Sequence, residues 1–317
     1  MNDLNERAYR LAQDLIAAAD QYGVAAHTLD NGAVVVDCGI DVPGGLEAGR
    51  RFAAITLGGA AEVRLTQAAI GDLWLPAVEV TSDDPVRACL GAQYAGWSIS
   101  GPEKYFAMGS GPARALAQAE PLFEELGYAE HSDVAVLALE GAALPPVEVA
   151  ARIAERCGVS PEHLVILIAP TASLVGTVQI AARSAETGLH KLHELEFPLD
   201  AVVSALGVAP ISPVAKNDLR GIGRTNDAIL YGARAYYAVR SADAAVEAVI
   251  ERLPATASRD YGRPFYDLFK SYNFDFYQVD PHLFSPGQVV INNLATGRTW
   301  QAGRLNPELL SKSFFEG

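Results

Sequence analysis

Between residues 134 and 193 the chain alternates strand-sized apolar runs with helix-patterned segments, and nothing else in it constrains the fold as much. Val134–Leu139 and His163–Ala169 are short, strand-sized and almost wholly apolar. Pro146–Cys157 reads as a helix, and the run from Leu174 to His193 is compatible with one. This β-α-β-α order excludes an all-β protein. No apolar run approaches the ~18–20 residues needed to cross a bilayer.

The flanks carry a different texture. Asn5–Gln21 places Leu11, Leu15, Ile16 and Ala19 at helical spacing with no internal Gly or Pro. It is followed by an Asn31-Gly32 pair between extended stretches within His27–Cys38, a strong hairpin signal. Val42-Pro43-Gly44-Gly45 then interrupts the pattern before a helix over Leu46–Leu57, with strands expected at Glu62–Leu65 and Trp74–Thr81. Toward the other end, Ala228–Arg240 reads as a strand, and Ser241–Leu253 and Phe265–Tyr272 as helices. Gln288–Asn293 and Gly297–Ala302 suggest a second hairpin. Helix-plus-hairpin material on both sides of a βαβα centre predicts an α+β (mixed α/β) fold with two lobes. The provisional portions are 1–125, 126–200 and 201–317, grouped into those two lobes.

Charge narrows the partners. Thirty-eight acidic residues against 24 basic ones give a formal charge of −14, which disfavours nucleic acid and acidic membranes. The N-terminus lacks a basic segment followed by an apolar stretch, so a cytoplasmic protein is expected. Cys38, Cys89 and Cys157 are far apart and never in a Cys-x-x-Cys pair, so buried free thiols are expected rather than disulfides or a cysteine-rich zinc site. The sequence also has no phosphate-binding Gly-x-x-x-x-Gly-Lys loop, no dinucleotide fingerprint and no His-Glu-x-x-His zinc helix. No metal is expected.

Several groups of residues could carry chemistry. On a helix, Arg183 and Glu186 lie three positions apart on one face; the carboxylate could activate water while the guanidinium orients it. An ordinary surface ion pair, worth about 0.2–0.5 kcal/mol, fits the same spacing. His190 and His193 make at most half of a metal site. Gly109-Ser110-Gly111-Pro112 could present backbone donors to an anion or a ring carbonyl, or could simply be a tight turn. Gln93, Tyr94, Trp97, Tyr105 and Phe106 could recognise a flat heterocycle, or fill the core. The polar run from Lys216 to Asp227 has the same two readings, ligand contact or solvated connection.

Four longer segments resemble the methenyltetrahydromethanopterin cyclohydrolase family. They are Leu29 to Gly39 (LDNGAVVVDCG), Lys104 to Ala115 (KYFAMGSGPARA), Ala169 to Gly176 (APTASLVG) and Ser258 to Phe265 (SRDYGRPF). They occur in one order along almost the whole chain. The resemblance implies a two-lobed α/β protein with a pterin-binding cleft between the lobes, a homo-oligomer with a trimer preferred, and no cofactor beyond the carrier substrate. It implies hydrolysis of the 5,10-methenyl group of tetrahydromethanopterin to the N5-formyl compound, in one-carbon metabolism. The dephospho carrier of methylotrophic, formaldehyde-oxidising bacteria is the expected form. It places the family's catalytic pair on Arg183 and Glu186. Gln93, Lys104, Gly109, Ser110 and Ser173 are the expected substrate contacts. The competing readings are a noncatalytic pterin-binding protein and a folate-type cyclohydrolase.

Overall fold

The computed structural model describes residues 3–316, the side chain of Tyr277 excepted. The chain divides into two compact units, one of Met1–Ala61 with Arg87–Gln179 and one of Glu62–Val86 with Ile180–Gly317. The first segment carries α1 (Leu4–Ala17), α2 (Ala19–Tyr22), β1 (Ala25–Thr28), β2 (Val34–Asp37) and α3 (Leu46–Thr56). The next holds β3 (Glu62–Ile70) and β4 (Leu73–Ser82). A π-helical stretch, Val86–Gln93, leads into β5 (Trp97–Ser100), β6 (Phe106–Ser110), α4 (Ala113–Ala117) and α5 (Leu122–Leu126). There follow β7 (Ala135–Glu140), α6 (Val147–Cys157), β8 (Leu164–Ala169) and α7 (Leu174–Ala181). The remainder is α8 (Ser184–Glu194), β9 (Val202–Pro210), α9 (Asp218–Gly232), β10 (Arg234–Val239) and α10 (Asp243–Val249). It ends with α11 (Phe265–Ser271), β11 (Gln288–Asn293), β12 (Thr299–Gly303) and α12 (Pro307–Phe315). The mixed α/β class is as expected, and the units are interleaved: the C-terminal unit takes in the early hairpin β3–β4.

In the first unit the strands run in the order β1-β2-β8-β7-β6-β5. β2, β8 and β7 are mutually parallel, and the outer pairings are antiparallel. Side chains alternate across the sheet, as the pleat requires. Leu137, Leu139, Ile166 and Ile168 pack with Val149 and Ile153 of α6. Val136, Ala138, Val165 and Leu167 pack with Leu15 of α1 and Phe52 of α3. Helix α7 enters on this second face through Val175. Gly49 lets α3 approach it, because a Cβ there would lie 2.6 Å from Val178 Cβ. The helices that follow the adjacent strands β7 and β8 therefore leave to opposite faces of the sheet.

The second unit has its own six-stranded sheet, β12-β11-β10-β9-β4-β3, antiparallel except between β10 and β11. One face is covered by α9, α11 and α12 through Ala77, Tyr231, Phe265, Leu310 and Phe314. The other receives α8. Gly207 of β9 makes this second contact close, since a Cβ there would strike Ser184 Oγ and lie 2.5 Å from the Ala185 backbone nitrogen.

Three local expectations need correction. Ala228–Arg240 is not one strand: Ala228–Gly232 ends α9, and only Arg234–Val239 is extended. The Leu174–His193 run is two helices, broken at Ala182 and Arg183. Gly109 and Ser110 lie inside β6 rather than in a turn, and the positive φ falls on Gly111 (102°), whose N–H is bonded to Ala92 O at 2.7 Å. All three cysteines are buried free thiols, and burial pushes the Cys157 thiol up to about 12.

Candidate active site

Arg183 is the N-cap residue of α8, and Glu186 lies in that helix's first turn. The break before α8 puts them there. The Arg183 N–H still reaches back to Ile180 O at 3.0 Å, while its carbonyl accepts from Thr187 N at 2.9 Å as the new helix begins. The guanidinium Nη1 lies 3.5 Å from Glu186 Oε2. Arg183 is 8% and Glu186 4% exposed, which sets the pair apart from an ordinary surface ion pair. A carboxylate in the first turn also faces the positive end of the helix dipole.

The turn that carries this pair is pinned from below. Tyr237 of β10 donates its hydroxyl to Ala185 O at 2.7 Å. Gly188, one turn further along α8, leaves room for that phenol, because a Cβ there would strike Tyr237 Oη. Gly207 does the same beneath Ser184 and Ala185. Two glycines and a tyrosine thus hold the α8 backbone against β9 and β10, and the sequence reading picked out none of them. A glycine inside a helix-patterned run, as at 188, was the available signal for close packing.

The other expected contacts belong to the first unit. Gln93 ends the π-helical stretch with no exposed surface, and Ser110 ends β6 at 4% exposure. The Gly111 N–H to Ala92 O bond joins the backbones beside these two residues. Gly109 sits in β6 against Trp97, where a Cβ would lie 3.1 Å from Trp97 O, closer than an ordinary contact. Lys104 is exposed in the turn between β5 and β6, with a positive φ of 64°. Ser173 opens α7, donating to Pro170 O at 2.7 Å and accepting from Gly176 N at 2.9 Å. The hydroxyl thereby helps to shape the β8–α7 turn.

Glu140, absent from the expected set, ends β7 and is half-buried. It accepts from Thr171 Oγ1 on one carboxylate oxygen and from Gln179 Nε2, at 3.1 Å, on the other. The polar run from Lys216 to Asp227 is largely helix α9, whose Arg220 lies over the Tyr266 ring at 4.1 Å. His190 faces Glu194 at 3.9 Å. Among the described residues no group of three or more His, Cys, Asp or Glu is placed to hold a metal ion. No helix of the described residues is long and apolar enough to cross a membrane.

Comparison with known proteins gives one consistent answer. The family model described as Cyclohydrolase (MCH) matches residues 3–314. A methenyltetrahydromethanopterin cyclohydrolase of Methylobacillus flagellatus is 46% identical over 311 residues, covering 98% of this chain and 95% of the relative. That of Methanothermobacter marburgensis is 45% identical over 321 residues, covering 99% of each chain. The Xanthobacter autotrophicus protein of the same name is 45% identical over 304 residues, covering 96% of this chain and 90% of the relative.

Proposed function

Since the chain belongs to the methenyltetrahydromethanopterin cyclohydrolase family, we propose that Glu186 and Arg183 carry the hydrolysis this family performs. The enzyme opens the 5,10-methenyl bridge of tetrahydromethanopterin to the N5-formyl compound, a step of one-carbon metabolism. The methenyl carbon lies between N5 and N10 in a cationic amidinium and is already electrophilic. Water adds to that carbon and gives a tetrahedral intermediate. Cleavage of the C–N10 bond, with a proton delivered to N10 and the intermediate's hydroxyl proton released to solvent, leaves the formyl group on N5.

The observation that carries the assignment is the buried pairing of Arg183 and Glu186 at the head of α8. Glu186 takes a proton from the attacking water and is the group that can return it toward N10. Arg183 directs its planar donors at Glu186 and at the water, which narrows the geometries from which attack occurs. The substrate brings its own positive charge to the reacting carbon, so the chain needs to supply orientation and proton transfer more than electrophilic activation. The neighbouring backbone supports this division of labour, because Tyr237, Gly188 and Gly207 hold the turn in place.

The same reading takes a cleft as the seat of the pterin, the dephospho carrier as the preferred substrate, a homotrimer as the working assembly and the cytoplasm as its location. Turnover of the methenyl carrier in ¹⁸O-labelled water, under anaerobic conditions, tests the chemistry. The expected product is N5-formyl carrier with one labelled formyl oxygen; an N10-formyl product or an unlabelled formyl group overturns it. Side-by-side kinetics with phosphorylated carrier, dephosphorylated carrier and methenyl-tetrahydrofolate, and a mass from light scattering, test the substrate form and the assembly.

A further inference from the structure

Resting on the reading that the substrate carries a reduced pterin, we propose that Glu140 reads the amino-pyrimidinone edge of that ring through a pair of parallel hydrogen bonds. The argument begins with topology. β7 and β8 are adjacent parallel strands, and the helices that follow them leave to opposite faces: α6 to the side of Leu137 and Ile166, α7 to the side of Val136 and Val165. In open α/β sheets such divergence opens a crevice beyond the carboxyl ends of the two strands, and ligands bind there. Glu140 is the last residue of β7, and Pro170-Thr171 leaves β8 directly beside it.

The carboxylate is held in one orientation. Thr171 Oγ1 donates to Oε1 and Gln179 Nε2 to Oε2, at 3.1 Å. Both donor residues are buried, at 4% and 3% exposure, while Glu140 itself is half-buried and reaches solvent. A carboxylate offers about four acceptor sites. One on each oxygen is used, so one on each remains. Gly141 follows Glu140 and packs closely on β6, where a Cβ would lie 3.0 Å from Ala107 Cβ.

Two acceptors side by side select a partner with two donors side by side. The pterin ring has such an edge, formed by N3–H and the 2-amino group, and a two-point contact of this kind to a carboxylate is strong and directional. Ser173, three residues beyond Pro170, shapes the adjoining turn by donating to Pro170 O and accepting from Gly176 N.

The experiment compares two ring fragments as inhibitors of methenyl-carrier hydrolysis. They are 6-methyltetrahydropterin and the matching tetrahydrolumazine, which carries a 2-oxo group in place of the 2-amino group. Wild-type enzyme is expected to prefer the pterin fragment by at least about tenfold. In Glu140→Gln the side chain presents one acceptor and one donor, which complements the lumazine edge. Its preference should therefore fall away or reverse, while KM for the carrier rises at least about tenfold and kcat stays within about threefold. Equal inhibition of the wild-type enzyme by the two fragments, or none by the pterin fragment, overturns the proposal whether or not the variant folds. A folded variant with unchanged fragment preference overturns it too. Failure of the wild-type enzyme to consume the methenyl carrier at all would instead reject the underlying activity, and is read separately.

Discussion

The hydroxyl of Tyr237 lies 2.7 Å from the carbonyl oxygen of Ala185, the residue that immediately precedes Glu186. A group on the sheet thus fixes the height and rotation of the turn from which the carboxylate projects. Replacing Tyr237 with Phe removes this bond and keeps the ring. The expected cost is about 0.5–1.5 kcal/mol of stability, together with a fall in kcat of about threefold to tenfold at nearly constant KM. Denaturant unfolding and steady-state kinetics on the same preparation check both parts; an unchanged kcat would show that the turn holds without the phenol.

Gly207→Ala probes the same support from the β9 side. The added methyl meets the Ala185 backbone nitrogen at 2.5 Å as well as Ser184 Oγ. A side chain can rotate away, but a backbone amide in the first turn of a helix cannot. Overpacking of this kind costs about 1–3 kcal/mol. The melting temperature should drop and turnover with it, whereas full retention of both would mean that α8 does not bear on β9 as described.

For the chemistry itself, Glu186→Gln keeps shape and burial while removing the proposed base. Its kcat should fall by about 10²–10⁴-fold, with a circular dichroism spectrum and melting curve like those of the parent. Arg183→Lys keeps the charge but loses the planar fork, so kcat should fall at least about tenfold. Near-normal turnover in a folded E186Q protein would remove the general-base assignment.

Asp227 makes a prediction about pH. Its Oδ1 accepts the Phe265 N–H at 2.8 Å between α9 and α11. Burial pushes its carboxyl up to about 7, against hydrogen bonds from Ser313 and the Phe265 amide that favour the charged form. The folded chain keeps this proton up to about pH 7, while the unfolded chain releases it near the ordinary carboxylate value of 3.8. Stability from this group is therefore fully present below about pH 4, falls as pH rises toward 7, and is flat above. In Asp227→Asn that slope should disappear. Urea midpoints from pH 4 to 8 measure it, and identical slopes in the two proteins would contradict the assignment.

Much of the first unit was legible because its strands are buried on both faces and its helices carry clear stripes. The β7-α6-β8 order and the first hairpin stand almost where the apolar runs placed them. In the second unit the same signals misled. The end of α9, Ala228–Gly232, is buried on every side against α11, α12 and the sheet, so it shows no polar face and reads as strand. β9 went unseen for the opposite reason: Ala205 and Gly207 are small where α8 presses on the sheet, which removes the bulky alternation that marks a strand. Arg183 and Glu186 were singled out by spacing and resemblance, on the premise of one helix. The break at Ala182 and Arg183 could not be foreseen, because its sequence carries neither Gly nor Pro. Glu140 escaped notice because a lone carboxylate at a strand end has no pattern; its partners Thr171 and Gln179 come from 31 and 39 residues away.

The pairing of β4 with β9 sets a problem of timing for the growing chain. β4 ends at Ser82 and its partner begins at Val202, so roughly 120 residues must be made before that edge can be closed. At ~5–20 residues per second the early hairpin waits on the order of ten seconds with one row of amides and carbonyls unclaimed. An open strand edge invites pairing with other chains. Slowed elongation between these two points should therefore lower the yield of native protein, and whatever shields nascent chains in the cell must cover the β3–β4 hairpin until β9 emerges.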